Sequence, residues 1–464
     1  MNHEERASIY GKLSLASLLY AILFGFILRT HLAGVGMTIL ALTTVVYCVY
    51  CMKLFARKVK AGTFVYMAYL LLLGLSTSMT GNTTIQLLNG FLFFILLVNM
   101  QLHIYHDDRQ WTLAKNFLMF FRSLAGCFEC IGDFFIDRHC KRTQHRFEKR
   151  TKLTYVLLGI VISVPLLAIL IALLSQADAM FSMVIKDIFG KHIRLGKWAK
   201  NVFVSVLVFF AAYTGVRFHI KRRLTKFSPD LRTFDPIVAN TILSLVSVVY
   251  LAFCGIQVFY LFIGKGTLPA DYTYATYARE GFFQLLAVSI INLVLVLLFI
   301  GIFRSNRLMK FLLAMISICT YIMLASSAFR MCMYIKVYHL TFTRVFVLWA
   351  LLLLALALLG LLIAIFNRNF RLVRYWIVLC GLCYILFSFS RPDYWIAKYN
   401  INAIPYATEE VDLEYLTSLS SDAAPVIAHQ KEKWTDTYKK KMQEQTKKHL
   451  LDYNLSINRA QDMF

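Results

Sequence analysis

Apolar runs long enough to cross a bilayer recur along almost the whole chain, and this one feature decides what it can fold into. A crossing takes roughly 17 to 25 predominantly apolar residues for about 30 Å of hydrocarbon. Such runs occupy 13–28, 32–52, 63–79, 84–104, 153–174, 199–216, 237–263, 282–303, 311–329, 345–366 and 375–390. Hydrocarbon offers the backbone no hydrogen-bond partner, so each run must satisfy its own peptide groups as a helix. Eleven such runs predict an all-α fold, a polytopic transmembrane helix bundle. With 59% hydrophobic and only 16% charged residues in 464, soluble domains are excluded.

The formal charge of +24 is explained by membrane orientation and does not require nucleic acid. With the N-terminus inside, 28 of the 49 Lys+Arg fall in cytoplasmic segments, 11 in outer loops and 10 in the tail after residue 390. An odd number of spans then places residues 391–464 outside. Met1 to Lys12 leads straight into apolar sequence without a small-residue cleavage site, so no removable signal peptide is expected. Cys48, Cys51, Cys254, Cys319, Cys380 and Cys383 lie within apolar runs, which argues against a disulfide-stapled exterior.

The chain divides into a first four-helix membrane segment at 1–104, a cytoplasmic loop at 105–152, a seven-helix membrane segment at 153–390 and a soluble tail at 391–464. Within the loop, Trp111 to Ile136 is apolar enough to be mistaken for a further span. Its charges Lys115, Arg122, Glu129 and Asp133 are spaced by 7, 7 and 4 residues and line one narrow stripe of a helix. Leu113, Phe117, Phe121, Leu124, Phe128 and Phe135 occupy the opposite face, a pattern suited to lying in the interface. The basic run from Arg138 to Lys152 is expected to attract anionic lipid headgroups, at about 1 kcal/mol per basic residue. The segment 176–200 reads as a second interfacial helix.

Cys127, Cys130, His139, Cys140 and His145 have spacings that suggest zinc, but the same CxxC recurs inside spans at Cys48/Cys51 and Cys380/Cys383, so we expect no metal. HExxH, GxSxG and the P-loop are missing, and no Asp or Glu lies in the interior of a run, which disfavours an ion-coupled pump. His103 and His219 sit at span ends and are expected to be solvated. No cofactor is implied. Asn89, Asn99, Asn240, Gln257, Gln284 and Asn292 lie in or near spans and are expected to bond between helices.

The unusual polar residues gather at the outer surface. Arg279 and Glu280 stand at the mouth of one span; Arg330, Tyr334 and Tyr338, spaced by four, share a face if the ninth helix continues, and Arg344 follows. Such a set can bind an anionic group, with Glu280 placed to act as a base. It can equally be an aromatic belt with snorkelling arginines. Asp393 and Asn400 of the tail are expected to cover it. The tail, with 10 Lys+Arg against 11 Asp+Glu, is helical and too thin to fold alone: Asp412 and Asp422 read as helix caps, and Lys439 to Lys441 as a solvated face.

The stretches Tyr277–Phe282, Arg330–Arg344, Asp393–Asn400, Asp412–Leu416 and Leu419–Ala423 resemble a bacterial multi-pass membrane family catalogued as a domain of unknown function, of the 4153/4173 type. The resemblance implies a location in the bacterial cytoplasmic membrane and no established activity. His339 stands where that family's pattern has glycine. Two function classes follow. One is a non-enzymatic envelope protein that binds, senses or moves a lipid or amphiphile at the outer face; the other is an outer-face transferase or hydrolase acting on a lipid-linked substrate. Membrane lipids are the partners expected in either case.

Overall fold

The computed structural model describes residues 3–28, 34–108, 111–134, 197–221, 234–259, 274–367, 369–403, 412–430, 433–444 and 450–464, with Leu174, Met180 and Met183. The fifth expected span, 153–174, apart from Leu174, the Arg138–Lys152 run, most of 176–200 and the side chains of Arg279 and Glu280 lie outside the described residues. Ten helices are long and apolar enough to cross a membrane, and they coincide with the other ten apolar runs. They are α1 (His3–Leu28), α2 (Val35–Leu54), α3 (Ala61–Met79), α4 (Thr83–Tyr105), α6 (Lys197–Lys221), α7 (Pro236–Gln257), α8 (Tyr274–Ile302), α9 (Arg307–Tyr338), α10 (Phe342–Phe366) and α11 (Leu372–Phe389). The interfacial helix α5 spans Leu113–Glu129. The tail carries α12 (Pro392–Ala403), α13 (Leu413–Ser418), α14 (Ala424–Ile427), α15 (Lys433–Glu444) and α16 (Leu455–Met463).

Helix starts are set by polar residues just outside the apolar runs. Asn82 accepts from the Ile85 amide, Asp235 from Ile237 ahead of Pro236, and Asn306 from Met309, each satisfying a donor that the first turn leaves open. Inside the spans, hydroxyls are absorbed by carbonyls one turn earlier: Ser17 on Leu13, Thr44 on Leu40, Ser317 on Leu313. Amides bridge helices. Asn89 donates to Thr77 and accepts from Tyr384, Asn292 donates to Thr320 and accepts from Tyr250, and Gln257 accepts from Ser326. Each such bond contributes about 0.6 kcal/mol in a membrane protein.

One apolar core joins α1, α2, α3, α4, α6 and α11 through Tyr47, Leu70, Met100 and Tyr384; a second joins α7, α8, α9 and α10 through Leu243, Ile316 and Leu358. Helix α11 packs on both α3 and α10. Tyr69 donates to the Val378 carbonyl, and Gly381 gives way to the Tyr69 ring, where any Cβ would come within 2.3 Å. The outward faces stay apolar, with Leu19 and Phe26 on α1 and Leu245 and Val248 on α7 exposed. Continuous exposed apolar surface of this extent is stable only against lipid.

The bundle has two distinct ends. At one, the α2–α3 connection, α5 and the first turn of α11 meet; at the other, the tail packs over the α1–α2, α3–α4 and α9–α10 connections. Helix α5 touches α4 and α6 near their ends, through Asn99, Thr214, Phe218 and His219. It has three faces. Met119, Ser123 and Gly126 are buried against protein, Phe117, Phe121 and Phe128 are exposed, and Arg122 pairs with Glu129 at 3.1 Å.

Candidate functional site

Helix α9 does continue past its apolar run, which puts Arg330, Tyr334 and Tyr338 on one helix. The rings of Tyr334 and Tyr338 lie 4.9 Å apart, and the Arg344 guanidinium covers Tyr334 at 4.5 Å. The same guanidinium donates to the carbonyls of Tyr338 and His339. His339 has φ 61° and ψ −177°, a conformation glycine adopts without steric cost and other residues rarely do. The surrounding clamp explains why a histidine is held there: Arg344 grips two carbonyls, and Asn400 grips the Leu340 amide and carbonyl, both at 2.8 Å. Arg330 is buried against Gly281, whose Cβ position lies 1.9 Å from the Arg330 Nη1, so α8 and α9 meet closely beside Glu280.

Asp393 is buried and accepts from the Asn82 side-chain amide at 2.9 Å and the Ser420 backbone amide at 3.2 Å, so it ties the tail to the α3–α4 connection. The strongest tie was not apparent from sequence. Asp422, read as a helix cap, is buried and accepts from the Thr80 and Ser456 hydroxyls and the Gly81 amide. Asn454 donates to the carbonyls of Thr77 and Thr80. Burial raises the Asp422 carboxyl above its ordinary range, against the pull of these donors, and the charge of Asp393 adds to the rise. Lys441 departs from the solvated face expected of its run: it donates to the carbonyls of Thr417, Ser418 and Leu419, closing the end of α13, while Lys439 and Lys440 are exposed.

At the opposite end, the expectation of solvated histidines is corrected. His103 and His219 are both buried. His103 shares a hydrogen bond with Asp108 at 2.7 Å; His219 lies between His106 and Ser123, at 3.0 Å from each. Span ends are solvated only where nothing packs on them, and here α5 and the α4–α5 connection do. Lys60 donates to the carbonyls of His103 and His106, capping α4 with a positive charge where the helix dipole favours one. Burial, joined by the charges of Arg57 and Lys60, pushes the His106 imidazole down to about 4. Burial works to raise Asp108, but its bond to His103 and the charges of His103, Arg374 and Lys60 outweigh that and hold it low.

These shifts give the two ends opposite responses to acid. His106 binds protons more weakly folded than unfolded, so its contribution is complete above about pH 6.5 and is lost as pH falls toward 4. Asp108, held low, keeps its contribution above its ordinary value of 3.8 and does not report in that window. Asp422, held high, makes the tail joint more stable as pH falls through its raised value. Hydrogen exchange, corrected for its intrinsic pH dependence, is therefore expected to speed up over 100–130 between pH 7.5 and 5. Over 412–464 it should stay level or slow.

Between these ends, α4 and α11 both pack on α3 and leave a groove of about 230 Å³. Leu73 forms its floor, Leu92, Ile95, Leu96 and Asn99 one wall, and Trp376, Ile377, Cys380 and Gly381 the other. Tyr384, bonded to Asn89 at 2.8 Å, closes it toward the tail. Leu113 and Asn116 of α5 close it at the other end, where Asn116 donates to Asn99 at 3.1 Å. Its named polar groups are already engaged, and its walls are half-exposed on spans that face hydrocarbon. Of these liners the sequence singles out Asn99, Leu113 and Cys380, none of them as part of a groove.

Among the described residues, no group of three or more His, Cys, Asp or Glu stands close enough to hold a metal ion. Cys127 of the suspected zinc set bonds the Ser123 carbonyl at 3.4 Å, and His139, Cys140 and His145 lie outside the described residues.

Ten described span-length helices, apolar outside and hydrogen-bonded within, define a multi-pass integral membrane protein. The chain belongs to the family described as domain of unknown function DUF4153, which matches residues 67–430. That range includes the groove, the α9–α10 clamp and Asp393 and Asp422 of the tail, and omits α1, α2, α15 and α16. No curated protein and no solved structure matches the chain.

Proposed function

We propose that the protein is a non-enzymatic envelope membrane protein that binds a lipid or amphiphile, with the groove between α4 and α11 as the place where an acyl chain lies. The groove itself is the observation that carries this reading: a half-open apolar channel within the bilayer, capped by hydrogen-bonded pairs at both ends, has lipid as its available occupant. The outer cluster supports a non-enzymatic role, because Arg344 is committed to two carbonyls and an aromatic ring, and Asn400 to Leu340. We assign these residues to holding the tail. The α5 end is taken as cytoplasmic because the densest Lys+Arg segments meet there.

Cys380 lines the groove and is exposed, so Cys380→Trp fills the channel without displacing a buried neighbour. The variant is expected to keep its thermal stability and to lose most of the lipid that native mass spectrometry finds on the purified protein. Unchanged lipid retention would contradict the proposal.

A further inference from the structure

A lipid chain moving from the bilayer into an apolar groove exchanges one hydrocarbon environment for another and gains little, since lipid tails are as apolar as leucine. Any selection among lipids must therefore come from the end of the groove that reaches headgroup level. The tail end is shut by Tyr384 and Asn89 within the spans. The α5 end is different. Lys115 lies between the lining residues Leu113 and Asn116, with its ammonium 5.7 Å from the Trp111 ring centre. Arg374 follows the lining residue Val373, and its side chain is 35% exposed. Arg371, exposed, precedes the first turn of α11 and offers it no side-chain cap.

Asp108 is the acid that meets this rim, 3.6 Å from Arg374, and it is already engaged by His103 at 2.7 Å. Lys115, Arg371 and Arg374, all within two residues of groove-lining positions, thus outnumber the acid that meets them among the described residues. We propose that the groove is a selective site for an anionic phospholipid, with the chain between α4 and α11 and the phosphodiester between Lys115 of α5 and Arg371 and Arg374 of α11. This rests on the groove being a lipid site and adds the headgroup chemistry. The first turn of α11, which has no side-chain cap, favours a phosphate on the same side, and the positive surplus disfavours the choline cation that a zwitterionic headgroup adds to it.

The test uses the full chain, purified and delipidated, offered phosphatidylglycerol or phosphatidylcholine with identical acyl chains and read by native mass spectrometry. Each basic residue near a headgroup favours the anionic lipid by about five-fold. The wild type is expected to retain phosphatidylglycerol at least about five-fold better. Lys115→Gln with Arg371→Gln should bring the ratio toward unity and leave phosphatidylcholine retention as it was. Neither residue forms an ion pair among those described, and an unchanged melting temperature of the double variant checks that loss of the Lys115 contact with Trp111 has not unfolded the site. Equal retention of the two lipids by the wild type, or selectivity that survives the double substitution, overturns the headgroup assignment. In those cases, loss of both lipids in Cys380→Trp would leave the groove itself standing. Retention of both lipids in Cys380→Trp overturns the groove reading instead.

Discussion

Asp422→Ala is expected to release the tail from the bundle. The substitution strands the Thr80 hydroxyl, the Ser456 hydroxyl and the Gly81 amide, all of which donate to this carboxylate. A buried donor left without its acceptor costs about 1 to 3 kcal/mol. With three affected, the joint should lose roughly 3 to 5 kcal/mol once partial rehydration is allowed for. Limited proteolysis should then cut within 412–464 while the membrane helices stay protected. Asp422→Asn should be milder, because the native carboxyl is held high and the site already favours a neutral group. A tail equally protected in the alanine variant would show that α12 and the apolar tail core around Ile427, Tyr438 and Met442 suffice without this joint.

The second large effect is expected at the other end. Gly126 faces Phe218, and a Cβ there would stand 2.3 Å from the ring. Gly126→Leu must push α5 off α6, because Phe218 is fully buried and has nowhere to turn. Overpacking costs about 1 to 3 kcal/mol, and losing the Ser123 bond to His219 adds a comparable amount. Spin labels at the exposed positions Phe121 and Leu207 should move apart in the variant. Gly132→Leu is the matched control, since its Cβ position meets nothing within 4 Å, and it should leave the distance unchanged. An unchanged distance in Gly126→Leu would mean that α5 is not held by this contact.

The spans were legible because bilayer thickness imposes a length that composition cannot hide, and each described span overlaps an apolar run. Their ends were less so. The run at 311–329 stops where apolar residues stop, but the helix continues to Tyr338, since Tyr334 and Tyr338 carry the chain beyond the run while still packing. Asp422 looked like a local cap because its partner Thr80 is 342 positions away, and nothing in a neighbouring stretch announces a contact of that range. His103 and His219 looked solvated because their burial depends on residues outside their own spans, Tyr66 and Asp108 for His103 and α5 for His219. The groove had no signature at all. Ile95 and Ile377 differ in kind from no other isoleucine of the spans, and only the joint packing of α4 and α11 on α3 leaves a space between them. His339 is the reverse case, where a departure from the family's glycine marked a position that the structure finds at positive φ.

The most direct measurement is a contact map made with a phosphatidylglycerol carrying a diazirine on its acyl chain, photolysed on the full chain in a bilayer and read by peptide mass spectrometry. A chain held in the groove should place adducts densely on 92–99 and 373–385, and Cys380→Trp should remove them. Adducts spread evenly over all lipid-facing helices, including the exposed face of α7 at Leu245 and Val248, with the groove peptides no richer than the rest, would contradict the account.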